Sequence, residues 1–293
     1  MRLNKVLPVL SLLFLSLMGA SCGGSYMSKA TNPPPPNGTD ALEEQLVRVA
    51  DLEAASAATF PNFGVDVLTT GSVKTEADEN NGGNNNDESV KFAVTEANDG
   101  TNYSAQFCPF SGGVAGCMPV GAFTTDNLGN ASLNLGFPQT GTFAGVFLIS
   151  RQNQPQFVTG FTVPGTAPQS GNTRSFEVDL QRVASVSGGL GAGFPAAGTD
   201  TFTSGRVEVG DGNQPVEITL VGAAKAANYA IKFCRFGAGA AGCFSVTSVT
   251  TDSMGNANAE LAFPETGTFD GVFILTRSVN GQTFSEFVTG FQR

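Results

Sequence analysis

Fifty consecutive residues of this chain are written twice. Asn102–Arg151 aligns with Asn228–Arg277 without a gap, and 27 of the 50 positions are identical. FTTDNLGNA answers VTTDSMGNA, and FPQTGTFAGVF answers FPETGTFDGVF. The match continues upstream, where FPNFGVDVLTTGSV from Phe60 faces FPAAGTDTFTSGRV from Phe194, and Arg48-Val49-Ala50 faces Arg182-Val183-Ala184. Downstream, FVTGF recurs at Phe157–Phe161 and Phe287–Phe291. Whatever the chain folds into must therefore be buildable twice, from copies of roughly 115 to 120 residues, an ordinary size for one domain. The sequence divides into a signal (1–21), a tether (22–41), a first copy (42–163), a linker containing PGTAPQSGNT (164–173) and a second copy (174–293). ENNGGNNND, Glu79–Asp87, is inserted in the first copy alone.

Within each copy, short apolar segments separated by turn residues point to strands. VKFAVTEA from Val90, VEITLVGA from Val216, NYSAQFC and NYAIKFC alternate apolar with polar residues, which predicts strands with one wet face. TFAGVFLIS and TFDGVFILT are apolar at successive positions, the pattern of a strand covered on both faces. About six or seven such segments and little helix predict an immunoglobulin-like β-sandwich for each copy. The expected fold class is thus all-β, two tandem sandwiches, each closing its own core and folding alone as 40–163 or 172–293. One segment fits two periods. Leu42/Phe176, Leu46/Leu180, Val49/Val183 and Leu52/Val186 are spaced like a helix face, whereas FEVDLQRV alternates like an edge strand. Strand is the reading taken.

The order of opening strand, proline-containing loop, G-x-V strand and Y-x-x-x-F strand resembles chordin-like (CHRD) modules over the first half of each copy. The histidines that mark many such modules are absent, because the chain has none. The resemblance implies a fold and carries over no metal function.

The chain opens MRLNKVLPVLSLLFLSLMGASC, with Arg2 and Lys5 ahead of an apolar run, Val6–Met18, and small residues up to Cys22. This is the form of a secretory signal, its run shorter than the roughly 20 residues of a membrane-spanning helix. LMGASC resembles the lipobox of bacterial lipoproteins: Ala20, Ser21 and Cys22 fit, and Gly19 stands where leucine is usual. The alternative is an ordinary secretory signal with a chance cysteine. The resemblance implies that Cys22 is lipidated and becomes the first mature residue, so that the membrane is a partner through this anchor. Gly23, in place of aspartate, then favours the outer membrane or cell surface. GGSYMSKATNPPPPNGTD reads as a stiff tether. The mature chain carries 13 basic against 25 acidic residues, which excludes nucleic acid as a partner and favours solubility.

Five cysteines leave an odd thiol unless one is used differently from the rest. Setting Cys22 aside leaves two brackets, CPFSGGVAGC from Cys108 to Cys117 and CRFGAGAAGC from Cys234 to Cys243. Each is expected to close as a local disulfide in an oxidising compartment, contributing about 2 to 3 kcal/mol. A structural staple is the first reading and a ligand-contacting loop, at Pro109–Gly116 and Arg235–Gly242, the second. Without histidine or a C-x-x-C pair, the brackets do not suit zinc.

Asp126 and Asp252, in TTDNLGNA and TTDSMGNA, are placed to cap a type I turn whose positive φ falls on Gly129 and Gly255. Calcium is the sharper alternative, but one carboxylate falls far short of a full oxygen shell. ENNGGNNND concentrates oxygen ligands and reads as a solvated loop. The lack of histidine removes the usual base of a Ser or Cys triad. Asp66/Asp200 and Asp126/Asp252, the acids shared by both copies, give no sign of the convergence a glycosidase needs. Carbohydrate platforms are scarce too, with no Trp and 3 Tyr, while the 24 Phe fall in strand patterns. These readings assign no catalytic residue, cofactor site or metal ligand. They describe a surface-tethered, non-catalytic protein that binds a protein or glycan or serves a structural role in the cell envelope. The alternative is a secreted hydrolase or enzyme inhibitor.

Overall fold

Segments that alternate in the sequence become strands with one face in solvent, and the uninterrupted apolar segments become strands buried on both faces. A computed structural model describes residues 42–54, 58–60, 62–76, 89–163, 176–209 and 216–292. Cys22, the tether, the linker and the Glu79–Asp87 insertion lie outside them. The first copy contains β1 (Leu42–Arg48), β2 (Thr70–Glu76), β3 (Ser89–Thr95), β4 (Asn102–Pro109), β5 (Met118–Thr124), β6 (Ala131–Gly136), β7 (Thr142–Phe143), β8 (Gly145–Arg151) and β9 (Gln154–Val163). The second contains β10 (Phe176–Arg182), β11 (Ser204–Val209), β12 (Val216–Val221), β13 (Asn228–Arg235), β14 (Cys243–Thr250), β15 (Ala257–Leu261), β16 (Gly267–Phe269), β17 (Gly271–Val279), β18 (Gln282–Thr289) and β19 (Phe291–Gln292).

The opening strand of each copy serves two sheets. Leu42–Gln45 of β1 pairs with β2, and Gln45–Arg48 pairs with β9. One antiparallel sheet therefore runs β6-β3-β2-β1 and the other β1-β9-β8-β4-β5. The second copy repeats this as β15-β12-β11-β10 and β10-β18-β17-β13-β14. Among the described residues no ladder joins β5 to β6 or β14 to β15, so each copy is an open sandwich of two sheets and not a barrel. In β1 burial alternates from Leu42 to Leu46, and then Val47 is buried as well. The alternation breaks where the strand leaves a sheet with one wet face for a sheet covered on both. A single 3-10 turn follows, Val49–Asp51 and its counterpart Val183–Ser185, and it accounts for the helix-like spacing of the residues beyond the strand.

Among the described residues the copies are joined by three ladders. β1 meets β10 at Glu43↔Glu177, which are equivalent residues, so an approximate two-fold axis passes between them. β16 pairs with the end of β9 at Phe269↔Phe161, and β19 pairs with β7 at Phe291↔Phe143. These last two are the same contact made in both directions, the isologous arrangement of a two-fold dimer built within one chain. FVTGF now has a physical reading. Phe161, from the first copy, packs on Phe176, Phe233, Phe263, Phe269 and Phe273 of the second at 5.3–6.1 Å between ring centroids. Phe291, from the second, packs on Phe107, Phe137, Phe143 and Phe147 of the first at 5.2–5.9 Å. The glycine before each Phe lets the partner strand approach: a Cβ on Gly160 would stand 2.2 Å from the Phe269 carbonyl oxygen, and one on Gly290 2.2 Å from that of Phe143.

A second seam covers the other face of β8 and β17. Val146, Leu148 and Val158 share one apolar cluster with Val272, Ile274 and Val288. Phe110 meets its equivalent Phe236 at 6.3 Å, flanked by Phe60–Phe236 at 5.9 Å and Phe110–Phe194 at 5.6 Å. Here is why TFAGVFLIS and TFDGVFILT are apolar throughout: their second face is covered by the other copy. Each buried Phe is worth about 1.5 to 3 kcal/mol, and the exchange gives each copy rings that its neighbour needs. The described residues all belong to one compact unit, 33–293. Copies 42–163 and 174–293 thus each place a phenylalanine in the other's apolar cluster.

Candidate functional site

Asp66 and Asp200 converge not with one another but with a Tyr and an Arg of their own copy. Asp66 is buried; its Oδ2 accepts from Tyr103 Oη at 2.9 Å, and its Oδ1 accepts from Asn98 Nδ2 at 2.9 Å and pairs with Arg151 Nη2 at 2.7 Å. Its backbone N–H donates to Gln156 Oε1. In the second copy Tyr229 donates to Asp200, and Arg277 Nε lies 3.3 Å from the same carboxylate. Glu286 stands where the first copy has Gln156: Oε1 accepts from Arg277, and Oε2 accepts from the Asp200 N–H. Ala224 replaces Asn98, and its backbone N–H donates to Tyr229 Oη. Burial, and after it the neighbouring aspartate, raises both tyrosine hydroxyls above the ordinary phenol range. Chemically these clusters pin the irregular segments 62–69 and 196–203 to the sheet, with every named charge paired, as a buried carboxylate requires.

The turn aspartates are committed to their turns. Asp126 Oδ1 accepts from the N–H groups of Leu128 and Asn130, both at 2.8 Å, and Asp252 Oδ1 from those of Met254 and Asn256 at 2.7 and 2.9 Å. These backbone bonds hold both exposed carboxyls below the usual carboxylate range. Gly129 and Gly255 take φ values of 76° and 89°, and a Cβ on either would lie 2.0 Å from a carbonyl oxygen, of Ala97 or Ala223. Among the described residues no group of three or more His, Cys, Asp or Glu could hold a metal ion.

Both brackets close on themselves, Cys108 to Cys117 and Cys234 to Cys243. Their first cysteines are fully buried, and Phe110 and Phe236 carry the loops into the seam. Thr59 of the first copy donates its hydroxyl to the Phe236 carbonyl across it. Loops expected to staple or to touch a ligand thus hold copy to copy, leaving only parts of each tip in solvent.

Another buried acid distinguishes the copies. Glu44, 4% exposed, faces the core where the second copy has Val178. Burial pushes its carboxyl up to about 8, opposed by a hydrogen bond from Thr159.

The second copy carries a concave feature among its described residues. A groove of about 690 Å³ lies over β13, β17 and β18, among Lys225, Asn228, Lys232, Thr276, Arg277 and Thr283. Its wall is a longer hairpin. In the first copy β8 and β9 turn at Gln152-Asn153, directly after Arg151; in the second the strands run two residues further each way and turn at Asn280-Gly281. Both turns have positive φ at both central residues, as a tight hairpin demands. Lys225 and Lys232 occupy the places of Asp99 and Gln106. The longer hairpin is visible in the sequence as RSVNGQTF set against RQNQ. Searches against protein-family models, curated proteins and solved structures find no match to the chain.

Proposed function

We propose that the mature chain is a lipid-anchored envelope protein, held through Cys22 at the outer membrane or cell surface, whose fused pair of immunoglobulin-like sandwiches binds a macromolecule without catalysing a reaction. The observation that carries the reading is the groove of the second copy, a concave surface of about 690 Å³ lined mostly by polar and charged residues. That volume falls in the usual range for ligand sites, about 300 to 1,000 Å³. Supporting it, the shared acids are consumed by structure: Asp66 and Asp200 in their Tyr–Arg clusters, Asp126 and Asp252 in their turns. The chordin-like resemblance enters only as a proposed kinship of the sandwich.

The test uses the mature chain with Cys22→Ser, mixed with envelopes isolated from cells lacking the protein. Retention should be saturable. It should fall to background when Ser278–Thr283 is replaced by Gln-Asn, the turn of the first copy, which lowers the groove wall and leaves the seam intact. Retention that ignores this change would remove the groove from the account.

A further inference from the structure

We propose that the groove of the second copy binds an acidic polysaccharide, a chain of sugars bearing carboxylates. This rests on the binding role proposed above and names the ligand class for that site.

Charge supplies the first argument. Lys225, Lys232 and Arg277 line the groove. Arg277 is fixed by Asp200 and Glu286 beneath it, whereas neither lysine has an acidic partner among the described residues. The matching positions in the first copy are Asp99, Gln106 and Arg151, with Asp66 and Gln156 below. The same patch is therefore net negative in the first copy and net positive in the second, on a chain with 25 acidic and 15 basic residues. Lys225 is exposed and Lys232 half-buried.

The remaining chemistry selects among anions. The exposed Asn228, Ser278, Asn280 and Thr283 offer amides and hydroxyls, the partners that sugar hydroxyls use. Over Ala230–Arg235 and Gly271–Thr276 the floor strands β13 and β17 are paired on both edges, which leaves an extended peptide only the three-residue rim Arg277–Val279 to add to as another strand. No aromatic ring lines the groove, which removes the stacking platform that single-stranded nucleic acid or a neutral sugar would exploit. A polymer with regularly placed carboxylates needs neither a ring nor a free strand edge; charge-assisted hydrogen bonds to the lysines suffice.

The experiment titrates the mature Cys22→Ser chain calorimetrically with three probes: oligogalacturonate, its methyl ester, and oligoglutamate of equal charge. Oligogalacturonate should bind, more weakly as salt rises, and the other two should bind at least about tenfold more weakly. Lys225→Glu with Lys232→Glu should weaken oligogalacturonate binding by about tenfold or more at an unchanged melting temperature. Lys225→Ala with Lys232→Ala should reproduce the direction with a smaller change. No binding of oligogalacturonate, equal binding of its ester, preference for oligoglutamate, or wild-type affinity in both lysine variants would each overturn the proposal. Envelope retention that persists without oligogalacturonate binding overturns this ligand class alone. Loss of retention together with binding overturns the binding role as well.

Discussion

Set side by side, the two copies keep one set of residues and exchange another. Both hold an Asp–Tyr–Arg cluster, a bracketed loop ending in a seam Phe, an Asp-capped turn and a Gly-Phe that crosses to the other core. They differ at Asp99/Lys225, Gln106/Lys232, Gln156/Glu286, Glu44/Val178 and the length of one hairpin. The first set consists of residues whose partner lies across an interface or under a loop, so that changing one leaves a hole or an unpaired charge. The second set falls mostly at one open face. Duplication followed by divergence thus separates what the fold requires from what a surface can be turned to.

The comparison can be broken most severely at the crossing rings. Phe161→Ala and Phe291→Ala should each lower stability by about 3 to 5 kcal/mol, because each empties the other copy's core. Chemical denaturation checks this, and a loss below about 1 kcal/mol in either variant would show that the rings do not anchor the exchange.

Glu44 sharpens the asymmetry through pH. Its folded carboxyl titrates near 8, above the unfolded value of 4.5, so the folded state keeps a proton that the unfolded state gives up. Stability from this group is complete below pH 4.5 and is lost as pH rises toward 8. Glu44→Val, the residue of the second copy, should raise stability by roughly 4 kcal/mol more at pH 8 than at pH 4.5. Urea melts across that range measure it, and a parallel gain at both ends of the range would locate the effect in packing instead.

Opening one bracket at a time, by changing both of its cysteines to serine, should cost about 2 to 3 kcal/mol for either loop. Similar losses would confirm that both loops serve the seam in the same way. The smallest effects are expected at the turn tips, where Leu128 and Met254 are 71% and 67% exposed. Leu128→Ser and Met254→Ser should each change stability by no more than about 0.5 kcal/mol.

Much of this was legible in the residues. Alternation in VKFAVTEA and VEITLVGA marked strands with one wet face, the brackets marked the disulfides, and Asp126-Gly129 marked its turn. Those signals are local, set by residues close together in the chain. The exchange was not legible, because the uninterrupted run in TFAGVFLIS says that both faces are covered and is silent on what covers them. FVTGF showed that a Gly-Phe pair mattered, yet only the position of the Phe269 and Phe143 carbonyls explains the glycine. The site was hidden for a related reason. Lys225 and Lys232 come to line one groove only once β13 has formed and the β17–β18 hairpin rises beside it.

If the two copies exchange their closing strands, they should fold only as one unit. The most direct test is to express 40–163 and 172–293 separately and unfold each one, alone and in an equimolar mixture, by circular dichroism with sedimentation. Neither half should give a stable folded monomer, and the mixture should form a one-to-one complex with a single cooperative transition. A folded monomer from either half, melting near the temperature of the intact chain, would contradict the exchange.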